Sequence, residues 1–309
     1  MNSDLGYLKG AIYNTGTIAI LAASATLEEQ GIEHSLIGIW KQGNWVKNWR
    51  EEIAFTSIAQ GSGRYSKSVV FMGMCGDVLI GTPQEFRAEQ LAKGPDAPNR
   101  LRTIHEVRAI GEYFFAVGMR RQVFRKHMGS TSWERVDEGV FITNKSKTIA
   151  GFLSIDGFSE KEVYAVGHRG EIWIFDGSQW RQIESPTNLI LNCVRCTPQG
   201  QVFACGQSGV ILSGRGSTWT ELKQDITDEM IVSLAALGDR VYFATGDAVL
   251  FSLEDGKFHE TRIKRNQDAT TGFLDSNGQE LLSVGEKDIY RYNGAEWSRI
   301  SDPEFNIKE

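Results

Sequence analysis

One pattern, 16 residues long in its clearest copies, recurs along the chain and restricts its fold more than any other feature. AVGHRGEIWIFDGSQW (165–180) combines a small apolar pair and a glycine, a polar turn, an apolar run and a closing tryptophan. ACGQSGVILSGRGSTW (204–219) repeats it, and the closing aromatic recurs at positions 45, 86, 133, 180, 219, 258 and 297. The last three intervals are 39 residues each. Self-similarity at a fixed period of this length indicates a structural repeat rather than a site.

Each repeat predicts four short strands separated by turn residues. In the fifth copy the predicted strands are LNCVRC (191–196), QVFACG (201–206), GVILS (209–213) and TWTEL (218–222). An Asp-Gly or Asn-Gly pair before the aromatic, as at Asp176-Gly177, is a strong hairpin signal. We expect the closing aromatic to pack between neighbouring blades. The glycine that ends the second strand, such as Gly206, is expected to need a backbone conformation that other residues resist.

Seven closing aromatics predict an all-β chain, a single seven-bladed β-propeller of four-stranded antiparallel blades spanning residues 1–309 as one domain. The ring must close between residues 5–13 and the last blade, which ends near position 301. The sequence leaves open whether the N-terminus adds a strand to that blade. The tail, residues 303–309, is expected to be loose.

The motif A-V-G-x-x-G-x-I-x-x-x-D-G-x-x-W is similar to the BNR/Asp-box-like repeats of bacterial propellers, over roughly residues 60–300. That group includes the photosystem II stability and assembly factors, and sialidases share its Asp-box. The full box, S-x-D-x-G-x-x-W, is intact in no copy. The resemblance implies a propeller. It implies no catalysis, because in the group the box forms a turn on the face opposite the active site.

The overall charge and the apolar segments exclude several classes of partner. The chain carries 33 basic and 39 acidic residues, a net charge of −6, which disfavours nonspecific binding to nucleic acid. No apolar run approaches the length of a membrane span. The first residues, MNSDLGYLKG, lack a basic segment followed by an apolar one. We therefore expect a cytoplasmic protein that binds neither nucleic acid nor membranes.

A C-x-x-C motif, Cys193 to Cys196, raises the possibility of a zinc or redox site. Residues i and i+3 of a strand point to opposite faces, however, and the chain has no second motif of this kind. Cys205 falls at the position that Val117, Val166, Thr245 and Val284 hold in other copies, which indicates core packing. We predict no metal and no cofactor, and free thiols fit a reducing cytoplasm.

Function is expected where the repetition breaks. The long insertions, residues 24–35, 88–103 and 137–151, fall on one face of the predicted ring, and residues 59–68 fall on the other. Short turns between second and third strands add side chains to the first face. The predicted binding residues are Arg100, Arg102, Arg120, Arg121, His168, Arg169, Gln207, Asp247 and Glu286. Their charges are basic on one side and acidic on the other, which fits either a solvated rim or a docking surface for a protein.

A sialidase-like glycoside hydrolase is the alternative reading. Such an enzyme needs three converging arginines, a tyrosine nucleophile polarised by a glutamate and an acidic acid/base residue. Here Arg120 and Arg121 are adjacent, the R-I-P element of that family is missing, and there are seven repeats rather than six. We therefore predict no catalytic residues. The predicted function is a monomeric, non-catalytic scaffold for a protein partner, as an immunity or inhibitor protein that neutralises a bacterial toxin or as an assembly factor.

Overall fold

A computed structural model of the chain describes residues 4–13, 16–82, 85–94, 97–99, 103–143, 150–246, 249–261, 263 and 269–305. Within these residues, 28 strands form seven four-stranded antiparallel sheets, each made from four strands that are consecutive in sequence. The chain is a seven-bladed β-propeller, which confirms the prediction from the repeat. Its blades fall into two compact units, which we call unit 1 (residues 1–56 and 231–309) and unit 2 (residues 57–230).

Unit 1 contains the first, sixth and seventh blades. The first blade comprises β1 (Leu5–Ile12), β2 (Thr17–Ser24), helix α1 (Ala25–Glu29), β3 (Ser35–Lys41) and β4 (Asn44–Glu51). The sixth comprises β21 (Ser233–Leu237), β22 (Arg240–Ala244), β23 (Leu250–Glu254) and β24 (Lys257–Thr261). The seventh comprises β25 (Phe273–Ser276), β26 (Leu281–Val284), β27 (Ile289–Tyr292) and β28 (Trp297–Ile300).

Unit 2 contains the other four blades, although the first strand of the second blade begins two residues earlier. The second blade has β5 (Phe55–Gln60), a 3₁₀ turn (Gly63–Tyr65), β6 (Val69–Gly73), β7 (Asp77–Gly81) and β8 (Phe86–Gln90). The third has β9 (Ile104–Ile110), β10 (Tyr113–Gly118), β11 (Gln122–His127) and β12 (Glu134–Arg135). The fourth has β13 (Phe152–Ser159), β14 (Glu162–Gly167), β15 (Ile172–Phe175) and β16 (Trp180–Ile183).

The fifth blade tests the predicted strand boundaries directly. It consists of β17 (Leu191–Cys196), β18 (Val202–Gly206), β19 (Ile211–Arg215) and β20 (Thr218–Glu221). Every observed boundary lies within two residues of the prediction. Alternation and turn residues therefore fix these strands almost completely.

Polar side chains on the first strands of the blades accept hydrogen bonds from the next blade. Ser57 Oγ accepts from Val107 N at 3.1 Å, and three further first-strand side chains repeat this contact. They are Glu106 with Ile155 N at 2.8 Å, Ser154 with Val194 N at 3.0 Å and Ser233 with Leu274 N at 3.0 Å. A first strand has a ladder partner on one side only. These oxygens satisfy backbone donors that would otherwise be buried without a partner.

A buried ion pair reinforces this arrangement in unit 2. Arg195 on β17 donates to Glu106 Oε1 on β9 at 2.8 Å and to Ser154 Oγ on β13 at 3.1 Å. Ser154 in turn donates to Glu106 Oε2 at 2.6 Å. Arg195 and Glu106 are each only 5% exposed. The first strands of three blades are thus tied together by one polar cluster.

The closing aromatics lie at or next to the start of the fourth strands, and most pack between blades as predicted. The Trp180 ring contacts Phe152 and Phe175 at centroid distances of 5.7 and 5.1 Å, and its Nε1 donates to Val136 O of the preceding blade at 2.7 Å. Trp219 and Trp297 are likewise buried, in clusters shared with the preceding blade. Trp133 is half-buried and packs against the core shared by the second and third blades, whereas Phe86 is 37% exposed.

The glycine that ends the second strand has a different role from the one predicted. Gly167 and Gly206 have φ of −178° and 179°, an extended backbone open to any residue. A Cβ at Gly167 would lie 2.0 Å from Gly151 O, and one at Gly206 would lie 1.9 Å from Ile190 O. Glycine is needed here for close approach of two backbones. Only Gly246, the copy in the sixth blade, has a positive φ, of 99°, among the copies described.

The first and seventh blades meet without exchanging strands, and the tail is held. Tyr7 N donates to Glu286 O at 2.9 Å, and Ile12 N donates to Asp275 Oδ2 at 3.0 Å. After β28, Pro303 is buried and Phe305 packs against the core shared by these two blades. The prediction of a loose tail is wrong for residues 303–305, because apolar contacts anchor them. Residues 306–309 lie outside the described residues.

We expect Trp180→Ala to lower the free energy of unfolding by about 3–5 kcal/mol, because it removes a large side chain between two blades. Urea unfolding monitored by circular dichroism measures the change. Phe86→Ala is the matched control, since it truncates the same repeat position at a side chain that is 37% exposed. Equal losses in the two variants would show that the aromatic does not act through inter-blade burial.

We expect Glu106→Leu to cost about 3–5 kcal/mol, because it leaves the Arg195 guanidinium buried without a carboxylate. The double variant Glu106→Leu/Arg195→Met should recover most of that loss in urea unfolding. Arg64→Met removes an ion pair to Glu112 whose side chains are 66% and 51% exposed, and should cost less than about 1 kcal/mol. A loss in Glu106→Leu no larger than in this control would contradict the role assigned to the cluster.

Candidate functional site

The long insertions lie at one edge of their blades, as the strand order requires. In each blade the connection from second to third strand lies at the edge where the first strand begins and the fourth ends. We call this the leading edge, and the opposite one the trailing edge. The three long insertions connect strands at leading edges, as predicted: residues 24–35, 88–103 and 137–151. The shorter excursion, residues 59–68, lies at a trailing edge, also as predicted. Residues 95–96, 100–102 and 144–149 of these insertions lie outside the described residues.

The turn between the second and third strands of the third blade contacts the connection that leads to the fourth blade. Arg120 N donates to Ala150 O at 2.8 Å, and Ile142 N donates to Arg120 O at 2.9 Å. The Arg120 guanidinium donates to Thr143 O at 2.7 Å. Arg120 therefore anchors the 137–143 segment through both its backbone and its side chain.

Arg121 is also committed to a structural contact. Its Nε donates to Glu171 Oε2 at 2.7 Å, which joins the leading edges of the third and fourth blades. The guanidinium lies over the Trp173 ring at 4.9 Å, and Trp173 Nε1 donates to the same carboxylate at 3.1 Å. Glu171 is buried. Arg121 thus stabilises a buried carboxylate and a ring at the same time.

The turns of the fourth and fifth blades have nearly the same backbone but different side chains. Arg169 has φ 62° and ψ 26°, and Ser208 has φ 54° and ψ 35°; both are exposed. His168 is half-buried beside Arg169. Gln207 is half-buried as well, and its Oε1 accepts from Ile190 N at 3.4 Å. Arg169 and Ser208 are therefore displayed, whereas Gln207 supports the preceding connection.

Left-handed backbone is concentrated on these turns. Six non-glycine residues have a positive φ in the described part of the chain. Four of them are on the turns of unit 2 just described: Arg120, Arg121, Arg169 and Ser208. Such a conformation costs a non-glycine residue about 1–2 kcal/mol. Strain retained at one edge of adjacent blades is typical of functional positions.

In unit 1 the leading edge of the first blade is closely braced. Ser24 caps α1, and its hydroxyl donates to Asp4 Oδ2 at 2.7 Å. Thr26 N donates to Asp4 Oδ1 at 2.8 Å. Hydrogen bonds from Thr26 and Ser24 lower the pKa of the Asp4 carboxyl. His34 is buried, and its Nε2 accepts from Ser24 N at 2.8 Å. Residues 24–35 therefore form a rigid insertion.

The predicted binding residues separate into displayed and bracing groups. Arg169 and Glu286 are exposed, in units 2 and 1 respectively, and His168 is half-buried. Arg120, Arg121 and Gln207 brace the leading edges of unit 2. Arg100, Arg102 and Asp247 lie outside the described residues.

Exposed apolar residues at the leading edges were missed by sequence reasoning. Leu8 and Ile32 in unit 1 are each 44% exposed, and Met74 and Met230 in unit 2 are 42% and 45% exposed. Ile32 and Met74 lie in connections between second and third strands, and Met230 precedes the sixth blade. Methionine is enriched in protein interfaces. Of the four, only Ile32 lies in one of the long insertions, and this position was the available signal for it.

The cysteines belong to the core and the surface of the blades. Cys193 is buried and lies opposite Cys205 in the register of β17 and β18. Cys196 is half-buried, and burial raises the pKa of its thiol. None of the four cysteines forms a disulfide in the structure. In the described ranges no group of three or more His, Cys, Asp or Glu side chains could hold a metal ion, and no helix is long and apolar enough to cross a membrane.

A relative of known role decides the family. The chain is 34% identical over 284 residues to the immune protein Tsi7 of Pseudomonas aeruginosa, covering 91% of this chain and 92% of that protein. The chain belongs to the Tsi7 family. This membership confirms the prediction of a binding scaffold of the immunity class. No family model matches the chain.

Solved structures similar to this Tsi7-family chain share its fold at low identity. YCF48 bound to D1 peptide has a TM-score of 0.67 at 14% identity, covering 98% of this chain and 94% of that one. A catalytically inactive virginiamycin B lyase from Staphylococcus aureus, with quinupristin, has a TM-score of 0.68 at 13% identity and 94% coverage of both chains. U3-55K has a TM-score of 0.69 at 12% identity, covering 98% and 94%. These likenesses establish the propeller fold.

We expect Arg121→Ala to lower the free energy of unfolding by about 1–3 kcal/mol, because the buried Glu171 carboxylate loses a charged donor. Arg169→Ala, at an exposed position of the next blade, should change it by less than about 0.5 kcal/mol. Thermal and urea unfolding measure both values. Adding Glu171→Gln to Arg121→Ala should restore part of the loss. If Arg121→Ala proved as neutral as Arg169→Ala, Arg121 would return to the set of displayed residues.

Proposed function

We propose that this chain is an immunity protein that neutralises a bacterial toxin by binding it, without catalysis of its own. The observation that carries the proposal is its relationship to the immune protein Tsi7 over 91% of its length. An immunity protein must hold one partner firmly, and a scaffold with rigid insertions at one edge suits that task.

The toxin is proposed to bind at the leading edges. Exposed apolar side chains and braced insertions occur there in both units, and strained turns occur there in unit 2. Apolar residues surrounded by charged ones are the usual composition of a protein interface. Arg169, His168 and Glu286 are proposed as contact residues, and Arg120, Arg121 and Gln207 as residues that position the surface. Arg100, Arg102 and Asp247 stay in the proposal as contact residues.

Four further features belong to the same proposal. The protein acts in the cytoplasm as a monomer before it meets the toxin, and residues 1–309 are one domain.

The repeats are of the Asp-box-like kind, with the box reduced to a turn. In support, Asp176 Oδ1 accepts from Ser178 N at 2.8 Å and from Gln179 N at 2.9 Å. The backbone hydrogen bonds from Gln179 and Ser178 lower the pKa of Asp176 to about 2. Its carboxylate therefore serves the hairpin.

The proposal is tested by expressing the gene that neighbours this one in its genome, in a bacterial host, with and without the present chain. We expect the neighbouring product to stop growth, the chain to restore it, and the two proteins to co-purify in a fixed stoichiometry. Continued toxicity in the presence of the folded chain would refute the proposal. Protection by strongly substoichiometric amounts would indicate catalysis instead of binding.

Within that system we expect Arg169→Glu to weaken the complex by about 2–5 kcal/mol if the side chain becomes buried, with an unchanged melting temperature. Isothermal titration calorimetry at two salt concentrations measures the loss, which should be larger at low salt. Lys161→Glu is the matched control, because Lys161 is exposed at the trailing edge of the same blade. An effect confined to Lys161→Glu would place the interface at the other edge.

A further inference from the structure

Leu8 is pushed out of its strand by a bulge. The pairing of β1 with β2 matches Tyr7 to Ala22 and Lys9 to Leu21, so that Leu8 is an extra residue without a cross-strand partner. Its side chain is 44% exposed, whereas the neighbouring Tyr7 is 5% exposed. Bulges are frequent next to functional sites, where they redirect a side chain. The first blade thus presents an apolar side chain where a regular strand would not.

Two clefts of unit 1 meet at this residue. A cleft of about 440 Å³ lies between the start of β1, the start of α1 and the turn after β26, and has Leu8, Ala23, Glu28 and Glu286 among its lining residues. A second cleft, of about 300 Å³, is lined by Val232, Gly272 and Phe273. Tyr7, Leu8 and Glu286 line both. Leu8 therefore stands between two adjoining depressions with partly apolar walls.

The larger cleft has an acidic rim. Four of its lining residues are carboxylates and one is a lysine: Asp4, Glu28, Glu286, Asp302 and Lys287. Asp4 is occupied by Ser24 and Thr26, and Asp302 accepts from the Tyr7 hydroxyl at 3.0 Å. Glu28 and Glu286 are exposed at the rim. The sequence of unit 1 carries 20 acidic and 13 basic residues, against 19 and 20 in unit 2. Asp302 is also paired with Arg299 at 3.1 Å, so the exposed carboxylates Glu28 and Glu286, with the acidic excess of unit 1, are the features that favour a positively charged ligand here.

We propose that the larger cleft receives an arginine or lysine side chain of the toxin, while an apolar neighbour of that residue packs on Leu8. This inference rests on the proposed immunity function and names the chemistry of its partner. The apolar wall suits the methylene stem of a long basic side chain, and the rim carboxylates suit its charged end. Leu8, between the two clefts, supplies the apolar contact beside the charge.

A short peptide tests the cleft independently of any toxin. Acetyl-leucyl-arginine amide is titrated into the isotope-labelled full chain, and amide shifts are followed by NMR. We expect saturable shifts at Leu8 and Glu286 that are absent with acetyl-leucyl-citrulline amide, which has nearly the same shape and no charge. Equal shifts with both peptides, or none at these residues with either, would overturn the proposal.

Variants test the same cleft in the complex. Glu28→Lys with Glu286→Lys should weaken binding of the toxin identified in the growth assay about tenfold or more, and Leu8→Ser should weaken it as well. The controls are Glu296→Lys, at the trailing edge of the seventh blade, and Val46→Ser on β4, where the side chain is 57% exposed. Both controls should bind like the wild type, and all variants should keep its melting temperature.

The outcomes separate the two proposals. If the wild-type chain protects cells but the cleft variants bind as tightly as their controls, this inference is wrong and the immunity function stands. If the wild-type chain gives no protection, the function is wrong, and the peptide titration alone then decides whether the cleft recognises a basic side chain.

Discussion

Within each unit, the structure depends on how first strands satisfy the backbone donors of the next blade. Ser57, Glu106, Ser154 and Ser233 each accept a hydrogen bond from a main-chain N–H of the following first strand, at 2.8 to 3.1 Å. A strand at the border of a small sheet otherwise leaves such groups without partners in a buried place. The polar side chains convert independent four-stranded sheets into a connected series. The ion pair between Arg195 and Glu106 adds a side-chain contact that spans two blade junctions, from the fifth blade to the third.

That connection leaves the leading edges free to differ from blade to blade. Gly167 and Gly206 let the end of a second strand approach the preceding connection so closely that a Cβ would overlap a carbonyl oxygen. Arg120 then fixes the 137–143 segment by hydrogen bonds, Arg121 binds Glu171 next to the turn of the fourth blade, and Gln207 supports the connection before β17. Because bracing residues and scaffold carry the stability, exposed side chains such as Arg169 and Leu8 are free to serve recognition. The surface proposed to bind the toxin is therefore held in place by contacts within the chain itself.

Much of the fold could be predicted from the sequence, because period, turn residues and alternation act locally. The strands of the fifth blade and the edge that carries the insertions followed from these signals. The role of Glu106 could not be foreseen, since it depends on the register between blades rather than within one. The Leu8 bulge was equally hidden, because LGYLKGAI reads as an ordinary strand. The repeat pattern predicts the fold and does not identify a partner. The relationship to Tsi7 was therefore needed to confirm membership of the immunity class.

The turns of the fourth and fifth blades show how one backbone can carry different recognition chemistry. Arg169 and Ser208 share a left-handed conformation to within about 10° in each dihedral angle. In both turns a glycine comes directly after this residue and another lies two positions before it. The shape of the turn therefore does not depend on which side chain occupies it, although either one bears the cost of the left-handed region. Glycine at these positions would relieve that cost but would present no side chain. Retaining a strained residue with a displayed side chain is best explained if that side chain makes a contact outside the blade.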